Sequence, residues 1–408
     1  MVPPVGAGAI HPPHEQFHHL NYCVHSNPSW VQVAALAFLH YLVMLGSTVM
    51  LASVIVPAMG GNAGDKARVI QSFLFMSGIN TLLQTLIGTR LPTVMNASFA
   101  FVVPVLSIAR EIESNNDLLN NHETQPHCRT DKSFLMSSAP WIKIPLPFQW
   151  GPPIFTAGHS FGMMGAVLVA AFESTGAHFA TARLAGATPP PAHVLSRSVG
   201  LQGIGMFLEG IFSCPAGSSV SVENIGLLGL TKVGSRRVIQ ISTGFMIFFS
   251  IFGKFGAFFA SIPLPIFAAI YCILFGIVAA VGVSFMQFAN KNSMRNIYII
   301  GVSLFLGISI PQYFNEYTSS ADGRGPARTN AGWFNDIINT VFASGPTVAL
   351  IVASALDNTL EFRGYESDRG LSWFQPFLHR HKGYSDPRNE EFYSFPIRVH
   401  DFIPSRFL

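Results

Sequence analysis

Charged side chains are scarce in this sequence. Asp, Glu, Lys and Arg together make up 11% of the 408 residues, whereas about a quarter is usual for a soluble protein. Hydrophobic residues make up 49%, Phe alone occurs 36 times, and the mean hydropathy is +0.39. A soluble domain of this size needs a far more charged surface to remain dispersed. The composition therefore excludes an ordinary soluble protein and predicts an all-α polytopic membrane protein.

Several other absences exclude whole classes of function. The net charge is only +3 and no basic run is interleaved with aromatic residues, so nothing indicates nucleic-acid binding. The four cysteines show no Cys-x-x-Cys or Cys/His ligand spacing. There is no GxSxG, HExxH or phosphate-binding loop, and no Ser/His/Asp pattern attached to a site. We therefore expect neither an enzyme, nor a metal centre, nor an organic cofactor.

The N-terminal stretch MVPPVGAGAIHPPHEQFHH lacks the features of a signal peptide. It has neither a basic leading region nor an apolar core. Its histidines are potential metal ligands, but a Pro/His-rich composition is more typical of a disordered tail. We interpret residues 1–30 as a disordered cytoplasmic tail.

Long apolar runs predict the membrane-spanning helices. Two shorter apolar segments, at about 93–109 and about 217–231, are interrupted by polar and helix-breaking residues. Counting both, we predict about ten crossings. The long runs lie at about 31–57, 69–88, 161–181, 199–214, 238–260, 263–288, 296–314 and 335–356.

The loop charges favour one orientation. Lys and Arg are nearly balanced between the two sets of loops, but one short loop and the segment beyond the last span carry clustered basic residues. These are Lys232, Arg236, Arg237, Arg363 and Arg369. The pattern places both termini in the cytoplasm. Residues 110–158 are then an extracellular loop, and residues 357–408 a cytoplasmic C-terminal tail.

Four charged residues fall within the apolar segments, where a charge is costly and suggests function. Lys254 is interpreted as a structural residue that snorkels or pairs. Glu209 lies near the end of its span, and both an interfacial and a functional role stay open. Glu173 is flanked by small residues that allow close helix approach or leave a cavity. Glu223 is followed by Asn224 and small residues, which indicates a helix that begins within the membrane.

The two interrupted segments share a plan. GTRLPTVMNASFAF and FSCPAGSSVSVENIG each have a proline, an extended run of small and hydroxyl residues, and the start of a short apolar helix. Paired broken segments of this kind point to a transporter's midplane site. Helix N-termini there present free N–H groups and a positive dipole end. Glu223 and Asn224 would offer acceptors and donors to a planar, amide-edged ligand, and Phe99 would stack on its ring.

The segment ENIGLLGLTK resembles the signature of the nucleobase–ascorbate transporter family, which runs Gln/Glu/Pro, Asn, any residue, Gly, four residues, Thr, then Arg/Lys/Gly. SSAPWIKIP, ATPPPAHVLSR and TNAGWFND resemble plant members. The resemblance implies a symporter of the xanthine/uracil permease type. Such a protein takes up nucleobases such as uracil, adenine, guanine or xanthine across the plasma membrane, with protons, or else sodium, as the coupling ion. Ascorbate transport is a lesser alternative, because members of that type have Pro where Glu223 stands.

The resemblance also implies roles for individual residues. Glu223 matches the substrate-binding acid of the family's tenth span, Glu173 the eighth-span acid that binds the base, and Phe99 the third-span aromatic that stacks on it. Glu173 and His40 are the coupling candidates. The expected substrate-binding residues are Glu173, Glu223, Asn224, Phe99, Ser98 and Ala177, and the signature residues are Glu223, Asn224, Gly226, Thr231 and Lys232.

The family fold is an inverted repeat of seven plus seven spans, divided into a core domain and a gate domain. This sequence passes from the third span almost directly to the loop before the eighth, so spans four to seven are missing. We therefore expect first-repeat core spans at 31–109, second-repeat core spans with the signature at 159–260, and gate spans at 261–356. The alternative function is a truncated, transport-defective membrane isoform or an incomplete gene model. The resemblance further implies a homodimer or association with full-length relatives.

Overall fold

The computed structural model describes residues 20–115, 134–286, 289, 292–321, 325–360 and 392–394, which are mainly helical. The helices are α1 (Trp30–Ala58), α2 (Ala63–Leu86), α3 (Val102–Asn115), α4 (Phe134–Ser138), α5 (Ala157–Leu184), α6 (Ala192–Ile211), α7 (Val222–Thr231), α8 (Arg236–Ile251), α9 (Gly253–Ser261), α10 (Leu264–Phe285), α11 (Met294–Ser320), α12 (Gly332–Phe342) and α13 (Gly345–Thr359). Two short strands, β1 (Met95–Ala97) and β2 (Ser218–Val220), complete the described part.

Each predicted apolar run contains a helix, which confirms the all-α membrane class. Among the described residues, α1, α2, α5 and α11 are each long and apolar enough to cross a membrane. A fifth span results if α12 and α13, which are bent by 89° at their junction, are one broken span. The run 238–260 is also divided, because the backbone is extended at Phe252 between α8 and α9. The count of about ten crossings stays a prediction.

The two interrupted segments meet in the bundle interior. Strands β1 and β2 pair antiparallel, with Met95 opposite Val220 and Ala97 opposite Ser218. β1 leads through a 3-10 turn, Phe99–Phe101, into α3, and β2 leads into α7. We call the place where Met95–Ala97 and Ser218–Val220 pair the strand crossing. With 10 residues, α7 is about 15 Å long, half the thickness of a bilayer's hydrocarbon core.

The largest apolar core lies between α1, α2 and α8. Tyr41 of α1 is fully buried and its ring stacks on Phe249 of α8, with centroids 5.1 Å apart. Gly78 of α2 allows the close approach of α8, since a Cβ there would lie 2.8 Å from Cγ1 of Ile247. This packing places the paired strands beside α1 and α2.

Residues 20–29 differ from the predicted disordered tail. The backbone N–H of Asn21 donates to the carbonyl of Lys232 at 3.0 Å, and the N–H of Gly234 donates to the carbonyl of Tyr22 at 2.7 Å. The side chain of Val24 is buried. The reason is that backbone groups at the end of α7 need partners, and this segment supplies them. Residues 1–19 lie outside the described part.

The described part of the predicted loop 110–158 packs on the break between α8 and α9. The N–H of Lys143 donates to the carbonyl of Ile251 at 2.8 Å, and that of Gly253 to the carbonyl of Trp141 at 3.1 Å. Lys254 Nζ donates to the carbonyl of Met136 at 2.6 Å and lies 5.1 Å from the centre of the Trp141 ring. The structural interpretation of Lys254 is therefore confirmed. Residues 116–133 lie outside the described part.

Candidate substrate-binding site

The paired strands are irregular backbone in an apolar bundle, so their polar groups need partners within the protein. Part of the requirement is met by the strand pairing and part by side chains. The N–H of Met95 donates to Thr81 Oγ1 at 2.8 Å, and the N–H of Val220 donates to Ser174 Oγ at 3.1 Å. Gln202 Nε2 donates to the carbonyl of Ser218 at 2.8 Å. Polar residues of α2, α5 and α6 therefore hold the strands in place.

Asn96 fixes β1 to α1. Its Nδ2 donates to Ser47 Oγ at 2.6 Å and to the carbonyl of Met44 at 3.3 Å. Its Oδ1 accepts a hydrogen bond from Thr48 Oγ1 at 2.8 Å. The sequence analysis did not identify this residue. The signal was the adjacent pair Ser47 and Thr48 in an otherwise apolar span, which marks a polar contact inside the bundle.

Ser98 and Glu173 are brought together from the two halves of the chain. Ser98 begins the 3-10 turn, where its Oγ accepts from the N–H of Ala100 at 3.2 Å. The same hydroxyl donates to Glu173 Oε2 of α5 at 3.0 Å. The next residue of α5, Ser174, accepts a hydrogen bond from the N–H of Val220 in β2 at 3.1 Å, and Glu223 lies within electrostatic range of the Glu173 carboxyl group. The predicted acid therefore lies at the strand crossing.

Glu223 and Asn224 occupy the first turn of α7. Ser221 caps this helix, because its Oγ accepts from the backbone N–H of Asn224 at 3.3 Å and from Asn224 Nδ2 at 2.9 Å. The Ser221 hydroxyl donates to Glu223 Oε2 at 2.7 Å. Both side chains are buried, with Glu223 8% and Asn224 3% exposed. A carboxyl group is favourable here, because the N-terminus of a helix carries the positive end of its dipole.

His40 of α1 orients Asn224. Its Nδ1 lies 2.9 Å from Asn224 Oδ1, and since a carbonyl oxygen only accepts, Nδ1 carries the hydrogen and donates. His40 Nε2 is buried and has no hydrogen-bond partner among the described residues. The carboxamide is thus fixed on both sides, its nitrogen by Ser221 and its oxygen by His40. The role of His40 in coupling stays a prediction.

Phe99 and Ala177 lie at the edges of this site. The ring of Phe99 is half-buried and 5.3 Å from that of Phe275 on α10, at an angle of 59°. Ala177 is fully buried in an apolar cluster with Met95 and Val220. Ala177 therefore packs against the paired strands, and it brings no polar group to the site.

The remaining signature residues shape α7. A Cβ at Gly226 would lie 2.7 Å from Cγ2 of Ile277, so any larger residue would force Ile277 or α10 to shift. Thr231 Oγ1 donates to the carbonyl of Leu227 at 2.8 Å. Lys232 ends the helix in the left-handed conformation, with φ of 56°. These three residues set the length and packing of the helix, whereas Glu223 and Asn224 face the strand crossing.

Two other polar residues, Glu209 and His178, are buried near the strands. Glu209 is 3% exposed and its Oε1 accepts from Asn80 Nδ2 at 2.7 Å. The Glu209 side chain therefore points into the bundle toward Asn80 of α2, and it does not reach the membrane–water interface. His178 is fully buried, and its Nε2 is 2.8 Å from Ser198 Oγ. His178 is therefore a packing residue between α5 and α6.

Comparisons with known proteins identify the family of this chain. The family model named Xan_ur_permease, described as a permease family, matches residues 31–121 and 118–316. The chain is 51% identical to nucleobase-ascorbate transporter 3 of Arabidopsis thaliana over 524 aligned residues, covering 98% of this chain and 94% of the relative. It is 47% identical to transporter 2 of the same plant, covering 97% and 98%, and 44% identical to transporter 1, covering 97% and 99%.

These matches extend over nearly the whole chain at high identity, and they include the first-half and second-half segments that build the site. Members of the matched family are permeases, which move small molecules across membranes and are not enzymes. The chain therefore belongs to the xanthine/uracil permease family, together with the plant nucleobase–ascorbate transporters.

Proposed function

We propose that the chain is a secondary active transporter that takes up nucleobases by symport with protons, or else with sodium. The supporting observation is the convergence of two carboxyl groups and a carboxamide at the strand crossing. Ser98 Oγ lies 3.0 Å from Glu173 Oε2, and Asn224 Oδ1 lies 2.9 Å from His40 Nδ1. The names of the related transporters support a nucleobase as cargo, with ascorbate as the lesser alternative.

The chemistry of the cluster suits the edge of a planar base. Carboxylate oxygens of Glu173 and Glu223 would accept hydrogen bonds from ring N–H groups, and the N-terminus of α7 would donate to ring carbonyls. Phe99 would stack on one face of the ring. Ser98 would orient Glu173 and His40 would orient Asn224, because each contacts its partner directly. Ala177 would contribute to this site only by packing against Met95 and Val220 of the paired strands.

A coupling proton also fits this arrangement. Glu173 and Glu223 are close enough to repel each other, and two negative charges in a low-dielectric site are unfavourable. A bound proton removes one of these charges. We therefore assign the coupling role to Glu173, and to His40 through its contact with Asn224.

Uptake in a transport-deficient host tests the proposal. The labelled substrates are uracil, adenine, guanine, xanthine and ascorbate, each measured with and without a proton uncoupler. Glu223→Gln keeps the size of the side chain and removes its charge, so we expect a weaker affinity for the base. Glu316→Gln is the matched control, because Glu316 is far along α11 and interacts with Gln312. An affinity unchanged by Glu223→Gln would remove this residue from the site.

A transport-defective membrane isoform is the second candidate, supported by the alignment. It runs over 524 residues whereas the chain has 408, so it contains long gaps on this chain's side. The two matched parts of the family model adjoin at residues 118–121, where we place the loss of spans four to seven. Such a chain would associate with itself or with full-length relatives. Delivery to the plasma membrane without uptake would favour this candidate.

A further inference from the structure

A short segment near the C-terminus lies buried in a groove of the helical bundle. Phe392 is 0% and Tyr393 2% exposed, although both belong to the polar tail after α13. The groove lies where α2 and α5 end and α6 and α8 begin. We call it the tail groove, and its apolar lining consists of Val24, Leu91, Ala182, Ala185, Ala187 and Val194.

Three arginines bind the main chain of this segment. Arg197 Nη2 donates to the carbonyl of Tyr393 at 2.8 Å, and Arg236 Nη2 donates to the carbonyl of Phe392 at 3.2 Å. Arg90 Nη1 donates to the carbonyl of Ser394. Three consecutive carbonyls are thus each bound by a guanidinium group from a different element. Hydrogen bonds from charged donors are stronger than neutral ones.

The two aromatic side chains make further contacts. The Tyr393 hydroxyl donates to the carbonyl of Thr188, in the loop between α5 and α6. The Phe392 ring stacks on His25, with centroids 5.3 Å apart and an interplanar angle of 23°. Burial raises the pKa of the Tyr393 phenol, so it stays neutral and keeps its donor. In the sequence, two acids, Glu390 and Glu391, directly precede this segment, and their charge is complementary to that of the arginines.

The same arginines also hold the loop that leads into the candidate site. Arg197 Nε donates to the carbonyl of Gly88 at 2.8 Å, and Arg236 Nε donates to the carbonyl of Arg90. Arg90 itself has a φ of 59°, in the left-handed region that non-Gly residues rarely adopt. Residues 87–94 connect α2 to β1. Each of the two guanidinium groups therefore bridges the tail segment and this loop.

We propose that Phe392–Ser394 is an intramolecular ligand of the tail groove, whose docking holds the loop 87–94 and, through it, strand β1. The groove recognises an acidic-aromatic peptide: apolar side walls bury Phe and Tyr, and arginines bind consecutive main-chain carbonyls. Loss of the segment would remove carbonyl acceptors from three clustered guanidinium groups and expose the apolar lining. The bundle should then be less stable at this end.

Thermal unfolding of the purified full chain in detergent tests the proposal. Phe392→Ala should lower the Tm by on the order of 5 °C, because a fully buried ring is lost. Phe305→Ala is the matched control, since Phe305 is 67% exposed on α11 and should change the Tm little. A synthetic peptide of residues 390–396, EEFYSFP, should raise the Tm of the Phe392→Ala variant. A scrambled peptide of the same composition should leave it unchanged.

A milder pair covers the case in which Phe392→Ala does not fold. Tyr393→Phe removes only the hydroxyl that binds Thr188, and Tyr313→Phe removes one from a residue that is 57% exposed. A lower Tm for the first variant alone supports the docking. Equal Tm values within each pair, or a Tm of the unaltered chain that rises with protein concentration because the segment comes from a second copy, would overturn it. The readout needs no transport, so it stands apart from the proposed function.

Discussion

The contact between α7 and α10 makes Gly226 a position where a single added methyl group should affect stability. A Cβ at this position would lie 2.7 Å from Cγ2 of Ile277 and 3.4 Å from Cγ2 of Val281. Contacts below about 3 Å between carbon atoms are strongly repulsive, so α7 and α10 would have to separate or Ile277 would have to change rotamer. Such overpacking typically costs about 1–3 kcal/mol. Gly226→Ala should therefore destabilise the bundle.

The helix preference of alanine acts in the opposite direction and must be separated from the clash. Replacing Gly by Ala inside a helix stabilises it by about 1 kcal/mol. Gly229 supplies the control within the same helix, because a Cβ there would lie 3.6 Å from Cδ1 of Leu184, an ordinary contact distance. Gly229→Ala thus keeps the helix gain without the clash. The difference between the two variants should equal the packing term of about 1–3 kcal/mol.

Thermal unfolding of both variants in the same detergent measures this difference. We expect Gly226→Ala to unfold several degrees below Gly229→Ala. In the background of Ile277→Ala the clashing methyl group is absent. Gly226→Ala should therefore lower the Tm of the Ile277→Ala variant much less than it lowers the Tm of the unaltered chain. A Gly226→Ala chain that unfolds at or above Gly229→Ala would refute the packing account of this signature glycine.

Three further predictions follow from other contacts. Ser98→Ala removes the hydrogen bond to Glu173 and should weaken nucleobase affinity by about 1 kcal/mol, roughly fivefold, in competition uptake assays. Asn96→Leu removes three buried hydrogen bonds, to Ser47 Oγ, Thr48 Oγ1 and the Met44 carbonyl, and should lower stability by about 2–4 kcal/mol in denaturant unfolding. Because burial raises the pKa of Tyr393, the stability linked to its neutral phenol is complete below pH about 10. It is lost as the pH rises through the raised pKa, so the unaltered chain should lose more Tm there than Tyr393→Phe.

The local sequence was sufficient to place the broken segments and the first turn of α7. A proline, a run of small and hydroxyl residues and a capping serine determine where a helix begins, and all of these are neighbours in the chain. Glu223 and Asn224 therefore lie in the predicted structural context, at the start of a ten-residue helix. The reason for Gly226 was not visible in the same way, because it depends on Ile277, which belongs to another helix.

Contacts between distant parts of the chain account for what the sequence did not show. His40 and Asn224 are 184 residues apart, and Glu209 and Asn80 are 129 residues apart. The position of Glu209 near a helix end suggested that its carboxyl group reaches the membrane–water interface. In the structure the carboxyl group is buried and accepts a hydrogen bond from the side-chain amide of Asn80. The docking of Phe392 was equally hidden, since no periodic pattern surrounds this residue in the polar tail.

The candidate site residues all lie on elements that precede α10 in the chain. His40, Ser98, Glu173, Glu223 and Asn224 come from α1, α5, α7 and the turn after β1, all before α10. Helix α10 contributes apolar neighbours, Phe275 beside Phe99 and Ile277 beside Gly226. The proposed recognition of a base therefore depends on elements that precede α10, whereas the proposed transport requires this group of helices to move against a gate. The two proposed functions differ in movement alone, so a chain without uptake should still bind a base at equilibrium.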